Sequence, residues 1–280
     1  MNKTFSILIA GMLVFGTLTV ALVQPAALAA DSDKSNKSVK VPPHAVKIAE
    51  GIYSLGKAKD TNDKTVEGLM IIHPGPKKES AKPPNVGGGN GGGPTCYAFL
   101  ARGAIWRTVE PWVVNPTNTE GLSDVPANLA ADIAKWEDAA TGDGPFKDIL
   151  GIGDTTSDPL VADTVNPDGS NEVYFGDVDS QGSIAVTIVW GIFYGPPSQR
   201  ELVEWDQVYD QVDFNWSSTG AANTMDFDNI ATHELGHSGG MGHPDDSCTE
   251  ETMYRFADFG ETKKRDLNAG DIAGIKSLYK

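Results

Sequence analysis

One helix is predicted in the middle of the chain from the spacing of its apolar residues. These residues recur at i, i+4 and i+7, which places them on one helical face. Either Ser123 or Asp124 can cap the start, because both side chains can accept a hydrogen bond from a free N–H of the first turn. The pattern ends at Thr141-Gly142. The apolar residues are Leu129, Ile133 and Trp136.

The pattern then changes to short apolar runs separated by glycine, proline, aspartate and asparagine, which is typical of strands. An earlier run, Trp112-Val113-Val114, predicts the first strand of a sheet. The later candidate strands fall within residues 147–154, 171–178, 182–194 and 201–216.

Two more helices are predicted towards the C-terminus. One begins between Met225 and Asn229 and ends at Gly239 or Gly240. The other is a closing helix capped by Asn268, with Asp271 at its third position and an apolar stripe. The stripe consists of Ile272, Ile275 and Leu278.

The first thirty residues have the pattern of a targeting segment. A lysine precedes the apolar run 5–23, and Ala27-Leu28-Ala29 is a small-x-small cleavage site, so residues 1–29 are predicted to be a secretory signal peptide. The run is also long enough for an uncleaved membrane anchor, which stays as an alternative. No later segment is apolar enough to span a bilayer, and the protein is expected to be extracellular.

Residues 30–94 differ in composition from the C-terminal two thirds of the chain. They begin with a polar stretch and end in a linker rich in glycine and proline. Between them, residues 44–55 and 64–73 hold enough apolar side chains for a short helix or strands. This region is interpreted as a propeptide-like leader of a zymogen, with the main domain at 95–280.

The chain of 280 residues has a formal net charge of −16, which disfavours nucleic acid and anionic membranes as partners.

The strongest chemical pattern is the stretch ATHELGHSGGMGHPD at 231–245, which holds three of the five histidines. His233 and His237 are one helical turn apart and project from the same face. Gly240 can adopt the left-handed turn that brings His243 back as a third nitrogen ligand. Glu234 lies beside them as a carboxylate that is not itself a ligand. Three imidazoles with one open position and a neighbouring general base are the requirements of a catalytic zinc site.

HELGHSGGMGH fits the metzincin pattern H-E-x-x-H-x-x-G-x-x-H, and ETMYRF supplies the downstream methionine turn. Within the metzincins, FDNIATHELGH and LNAGDIAGIKSLY resemble the matrixins, including prokaryotic matrixin-like proteases. The resemblance implies an α+β metzincin-like domain with a twisted, mixed five-stranded sheet, three main helices and zinc in a cleft.

The resemblance also implies roles for residues around the metal. Met253 would form an apolar floor below it, and Tyr254 would line the pocket for the residue after the scissile bond. The strand at 183–190 matches an edge strand to which an extended peptide adds by main-chain hydrogen bonds, and the alternative is an ordinary buried strand. Its substrate-binding residues would be Gly182, Ser183, Ile184, Ala185 and Val186.

The two cysteines, Cys96 and Cys248, leave two interpretations open. In an oxidising compartment an even pair indicates a disulfide. The alternative is a cysteine switch in which Cys96 binds the metal. The sequence around Cys96, GPTCYAF, lacks the matrixin switch motif, and a switch would leave Cys248 unpaired. The disulfide is favoured.

Other metal sites are weakly indicated. Calcium is a candidate through the family likeness, since it takes six to eight oxygen ligands. A second, histidine-bound zinc is not expected, because no histidine lies between His73 and His233. His44 and His73 are expected to be solvated or packing side chains. The acidic candidates for calcium are Asp154, Asp158, Asp163, Asp177, Asp179, Asp206 and Asp210.

The sequence therefore predicts a secreted, monomeric zinc endopeptidase acting on proteins or peptides, with Glu234 as general base. The rival hypothesis is a secreted binding or adhesion module with a structural zinc. Such a zinc would need a fourth protein ligand and no general base.

Overall fold

A computed structural model of the chain describes residues 38–76, 95–141, 148–180 and 182–280. The predicted signal peptide at 1–29 and the glycine- and proline-rich linker that begins at residue 77 lie outside these residues.

The described residues form twelve strands, three α-helices and two short 3-10 helices. The strands are β1 (Val46–Ala49), β2 (Ile52–Lys59), β3 (Thr65–Pro74), β4 (Ala98–Phe99), β5 (Trp112–Asn115), β6 (Gly153–Thr155), β7 (Asn171–Gly176), β8 (Ser183–Ile192), β9 (Glu201–Asp210), β10 (Trp216–Ser217), β11 (Met225–Asp226) and β12 (Met241–Gly242). The α-helices are α1 (Val125–Thr141), α2 (Phe227–Ser238) and α3 (Ala269–Leu278), and the 3-10 helices are Pro197–Gln199 and Lys263–Arg265.

The three helices lie where the apolar and capping patterns predicted them. In α1, the side chain of Asp124 accepts from the N–H of Ala127 at 3.2 Å, so Asp124 acts as the cap. In α3, Asn268 is the N-cap, and its N–H donates to Asp271 at 3.0 Å. The strands β7, β8 and β9 also fall within the predicted runs, and β5 and β6 each extend one residue beyond theirs.

The main sheet has eight strands in the order β1-β2-β3-β8-β9-β7-β5-β6. It is mixed, because β5 is parallel to β6 and β7, and β7 is parallel to β9, whereas β8 is antiparallel to both of its neighbours. The prediction of five strands is therefore corrected to eight. The five predicted strands are present, and β1, β2 and β3 come from the region that the sequence assigned to a leader.

This addition also corrects the prediction that β8 lies at the edge of the sheet. β3 pairs with β8 along its length, from Glu67 opposite Gly191 to Pro74 opposite Ser183. Local sequence patterns do not reveal this pairing, because more than a hundred residues separate the two strands.

Each face of the sheet packs against its own hydrophobic cluster. Side chains alternate between the faces of a strand, so neighbouring residues belong to different clusters. On β8, Val189 faces the helices, whereas Ile188 and Trp190 face the opposite cluster. On β3, Ile71 faces the helices and Ile72 faces away. The same alternation points His73 towards α2.

No helix among the described residues is long and apolar enough to cross a membrane.

Candidate metal centre

Helix α2 fixes the first two histidines of the candidate site. Its N-cap, Asp226, accepts from the N–H of Asn229 at 3.1 Å and from the Nε of Arg265 at 2.8 Å. The helix ends after Ser238, and Gly240 has φ of 96°, a left-handed conformation that reverses the chain. This turn brings His243 back beside the helix, as the sequence predicted.

The three predicted ligands converge through their Nε2 atoms. The Nε2 of His243 lies 3.1 Å from that of His237 and 3.3 Å from that of His233. Ligands at about 2.0–2.1 Å from a tetrahedral zinc would be about 3.3 Å apart. The spacing of the three nitrogen atoms therefore fits a single zinc ion.

The other ring nitrogens orient these side chains. His233 donates from Nδ1 to the carbonyl of Thr252 at 2.6 Å, and His237 donates from Nδ1 to the carbonyl of Met241 at 2.9 Å. The Nε2 atoms of His233 and His237 therefore carry lone pairs that point into the same small space, and a bound cation would stabilise this arrangement. Burial holds the pKa of His233, His237 and His243 below its usual value, which favours the neutral, ligating form.

Glu234 lies beside the ligands and is fully buried. Its Oε2 accepts from the hydroxyl of Thr187 on β8 at 2.6 Å, and its Oε1 accepts from Nδ1 of His73 on β3 at 2.8 Å. Burial raises the pKa of Glu234, as suits a group that must hold a proton during a reaction.

The contact with His73 corrects the expectation that this histidine is an ordinary solvated or packing side chain. His73 is 1% exposed and stacks obliquely on His233, with ring centroids 4.4 Å apart. His73, His233 and Glu234 form a second group with ligand atoms within 4.8 Å of one another. His44, by contrast, is exposed. If residues 64–73 form a strand, the alternation of side chains tells which neighbours share a face with His73. Only the pairing of this strand with β8 brings that face to α2.

Met253 is fully buried against α2. A Cβ atom at Gly236 would lie 2.2 Å from the Sδ of Met253, so the methionine occupies the space that a glycine leaves between the two helical ligands. The N–H groups of Thr252 and Met253 donate to the carboxylate of Asp271. Asp271 is therefore a positioning residue whose contact with this turn was not predicted.

Tyr254 follows this turn and is half-buried, with its ring 5.5 Å from that of Phe256. Its carbonyl accepts a hydrogen bond from the amine of Lys264, which is fully buried. Burial lowers the pKa of Lys264 to about 7. The burial of Lys264 and its hydrogen bond to Tyr254 were not predicted, because nothing in the sequence distinguishes Lys264 from its neighbour Lys263.

The predicted substrate-binding residues lie on β8 and just before it. β3 covers this part of β8, since Ile72 pairs with Val186, His73 with Ala185 and Pro74 with Ser183. Gly182, with φ of 73°, accepts from the N–H of Gly75 at 2.6 Å. Ile184 is fully buried.

Cys96 and Cys248 are joined in a disulfide with Cα atoms 5.5 Å apart. The bond links the segment before β4 to the loop between His243 and Met253. The sulfur of Cys96 is therefore not a ligand of the three-histidine site in this structure.

A third group of potential metal ligands lies on the face of the main sheet that points away from α2. One carboxylate oxygen each from Asp163, Glu204 and Asp206 lies within 4.8 Å of the others. Burial raises the pKa of Glu204 to about 9 and that of Asp163 to about 6. Within the described residues, Oε1 of Glu204 and Oδ2 of Asp163 have no hydrogen-bond partner. Of the seven aspartates predicted as calcium candidates, only Asp163 and Asp206 belong to this cluster.

Comparison with known proteins shows which proteins the segment around this site is similar to. The matrixin family model matches residues 196–280, which include all three histidines, Glu234 and Met253. Metalloendoproteinase 4-MMP of Arabidopsis thaliana is 37% identical over 68 residues, covering 24% of this chain and 18% of that protein. Metalloendoproteinase 2-MMP of the same plant is 31% identical over 93 residues, covering 31% and 22%. Matrilysin of Homo sapiens is 40% identical over 67 residues, covering 24% of each chain.

The match thus spans about a fifth of the length of these curated relatives. No solved structure matches the chain. The family match begins after β8, so strands β1 to β3 and residue His73 lie outside it.

Proposed function

Because residues 196–280 match the matrixin family model, we propose that this chain is a secreted zinc-dependent endopeptidase in which Glu234 is the general base. The observation that carries the proposal is the convergence of three Nε2 atoms, 3.1 and 3.3 Å apart, next to a buried carboxylate. A binding protein has no need for that carboxylate at this position.

His233, His237 and His243 would hold the zinc. When bound there, zinc supplies a Lewis acid that polarises a peptide carbonyl and lowers the pKa of a water molecule from about 15.7 towards 7. Glu234 would take the proton of the attacking water on a carboxylate oxygen and then deliver it to the leaving amine. Thr187 holds the carboxylate through Oε2, so Oε1 is the oxygen free to act once His73 has moved away.

An extended protein or peptide would bind along β8, at Gly182, Ser183, Ile184, Ala185 and Val186. The pairing of β3 with this part of β8 supports the proposal, because the main chain of β8 accepts an antiparallel strand there. Tyr254 would line the pocket for the side chain after the scissile bond.

Secretion is supported by the signal-peptide pattern at 1–29 and by the disulfide, which requires an oxidising compartment. Residues 30–94 would then be a leader and linker that keep the protein a zymogen, and residues 95–280 the catalytic domain. The enzyme would act as a monomer.

We also propose that Asp163, Glu204 and Asp206 bind one calcium ion as a structural site. Oxygen ligands suit this cation, and its charge would offset the repulsion among three closely spaced carboxylates. The site lies on the face of the sheet away from α2, so calcium there would act on stability and not on the chemical step.

The test of the proposed function is Glu234→Gln, compared with wild type after the same removal of the leader from both proteins. The variant should retain one zinc per chain and hydrolyse casein about 10²–10⁴-fold more slowly, the range expected for loss of a general base. Glu250→Gln, at an exposed position in the loop before Met253, is the matched control and should retain full activity. Unchanged hydrolysis by the Glu234 variant would refute the proposal.

The rival function, a binding module with a structural zinc, requires a fourth protein ligand. His73 is a candidate for it, because it shares a potential ligand group with His233. Chelation separates the two functions. A protease should lose activity at chelator concentrations that leave its folding intact, whereas a module held by structural zinc should unfold as the metal leaves.

A further inference from the structure

We propose that residues 46–74 are an intramolecular inhibitor, in which β3 occupies the substrate's place along β8 and His73 closes the catalytic centre. This inference rests on the proposed function and specifies how that site is regulated. We name these residues the N-terminal strands.

The first argument is main-chain geometry. β3 forms an antiparallel ladder with β8 that runs from Gly191 to Ser183, and its last residues reach the segment proposed to bind substrate. A peptide could not add to β8 at this edge while β3 is paired there, because each strand edge offers one row of hydrogen-bonding groups.

The second argument is side-chain packing, which fixes the register. Val66, Met70 and Ile72 of β3 are buried in the same hydrophobic cluster as Ile188 and Trp190 of β8. Gly68 lies opposite Trp190, and a Cβ atom at Gly68 would come within 2.7 Å of the indole ring. The indole therefore fills the space where a side chain at position 68 would lie, and a one-residue shift would turn His73 away from α2.

The third argument is the position of His73 itself. Its Nδ1 donates to Oε1 of Glu234 at 2.8 Å, and Thr187 already occupies Oε2. Each oxygen of the proposed general base therefore already accepts one hydrogen bond, and the His73 ring occupies the space next to Oε1. Because both side chains are buried, bulk water does not compete for this contact.

The remaining nitrogen of His73 is free to accept a metal ion. Nε2 is buried and has no hydrogen-bond partner within the described residues. When Nδ1 carries the proton donated to Glu234, Nε2 presents a lone pair. One ring nitrogen of His73 lies within 4.8 Å of ligand atoms of His233 and Glu234, so the ring is close enough for Nε2 to bind a zinc ion held by the three histidines. An imidazole would then perform the blocking role that a cysteine switch assigns to a thiolate.

The space that remains beside the site is also bounded by the N-terminal strands. A pocket of about 190 Å³ next to His243 is walled by Arg255 and Phe256 on one side and by Ile72 and Pro74 on the other. Release of the strands would join this pocket to the edge of β8 as one open groove.

Two variants of the full chain test the proposal, each with its zinc content measured. His73→Ala should free Glu234 and the open metal position, so acetohydroxamate, a small zinc-binding probe, should bind at least tenfold more tightly by calorimetry. Gly68→Leu leaves His73 intact but forces β3 from Trp190, and it should increase hydrolysis of a fluorogenic peptide at least tenfold. His44→Ala is the matched control, since His44 is exposed, and should behave as wild type in both assays.

Failure of the inference and failure of the proposed function give different results. If wild type binds acetohydroxamate as tightly as His73→Ala, or if either variant lowers peptide hydrolysis below wild type, the strands are a permanent part of the site and the inhibitor proposal is wrong. If both variants bind the probe more tightly than wild type, and neither wild type nor the variants hydrolyse peptide, the N-terminal strands do close the site, and the endopeptidase function is wrong instead.

Discussion

Asp271 accepts two main-chain hydrogen bonds from the turn that carries Met253, at 2.7 Å from the N–H of Thr252 and at 3.1 Å from that of Met253. The carbonyl of Thr252 in turn accepts from Nδ1 of His233 at 2.6 Å. The closing helix is therefore connected to a proposed zinc ligand through one carboxylate and one peptide group. Such supporting contacts set the orientation and basicity of the ligand.

Asp271→Asn should weaken zinc binding. An amide has one acceptor oxygen, and its NH₂ group would face an N–H donor, so the turn would shift away from His233. We expect a loss of about 10–100-fold in zinc affinity, the usual effect of removing such a partner. Titration against a competing chelator measures it. Lys276→Gln, exposed on the same helix, is the control, and equal affinity for both variants would contradict this connection.

Gly236→Ala should destabilise the domain. The added Cβ would lie 2.2 Å from the Sδ of Met253 and 2.7 Å from the Cζ2 of Trp136, both fully buried. Overpacking of this kind costs about 1–3 kcal/mol of the free energy of unfolding. Urea unfolding of the zinc-loaded protein is the measurement.

Gly239→Ala provides the comparison, because its nearest neighbours would be 3.4–3.5 Å away, which is an ordinary contact. Its unfolding midpoint should stay close to wild type. If Gly236→Ala is equally harmless, Met253 does not fill the space under the helical ligands.

The carboxylate cluster at Asp163, Glu204 and Asp206 should make stability depend on pH and calcium. Burial raises the pKa of Glu204 to about 9, and burial also raises the pKa of Glu172, nearby, to about 7. The folded protein therefore binds more protons than the unfolded chain between about pH 4.5 and 9, so its stability falls as pH rises through that window.

Calcium binds the ionised carboxylates, so at pH 8 it should restore most of the stability that is lost as pH rises. Thermal unfolding in a chelator and in millimolar calcium, from pH 5 to 9, measures both effects. Glu204→Gln with Asp206→Asn should abolish the calcium response. A calcium response that survives these substitutions would place the ion elsewhere.

Removal of the disulfide should lower stability without removing the metal ligands. Cys96 and Cys248 are separated by 152 residues, and a closed loop of this size restricts the unfolded chain strongly. The double variant Cys96→Ser with Cys248→Ser should lose about 2–5 kcal/mol of unfolding free energy. Wild type in reductant should have the same free energy of unfolding as the double variant. If reductant also lowers the free energy of unfolding of the double variant, the loss does not come from the disulfide.

The sequence predicted those features that depend on short-range spacing. His233 and His237 are four residues apart on a helix, and Gly240 permits the turn to His243, so local geometry alone brings these side chains together. The ranges of α1 and α3 were likewise predicted from apolar periodicity and capping residues.

Long-range pairing was not predictable in this way. Residues 64–73 hold enough apolar side chains for a strand, but any exposed strand edge in the chain could have been their partner. The close contact of Trp190 with Gly68 favours pairing with β8, and that pairing places His73 against Glu234. The carboxylate cluster escaped prediction for the same reason, because Asp163 meets Glu204 and Asp206 only in the folded sheet.

The most direct test of the central claim is anomalous diffraction at the zinc edge from crystals of the zinc-loaded protein. The account predicts one strong peak about 2.0–2.1 Å from the Nε2 atoms of His233, His237 and His243, with the carboxylate of Glu234 outside ligand distance. A structure with no peak among these three nitrogen atoms, or with Glu234 as a direct ligand, would contradict it.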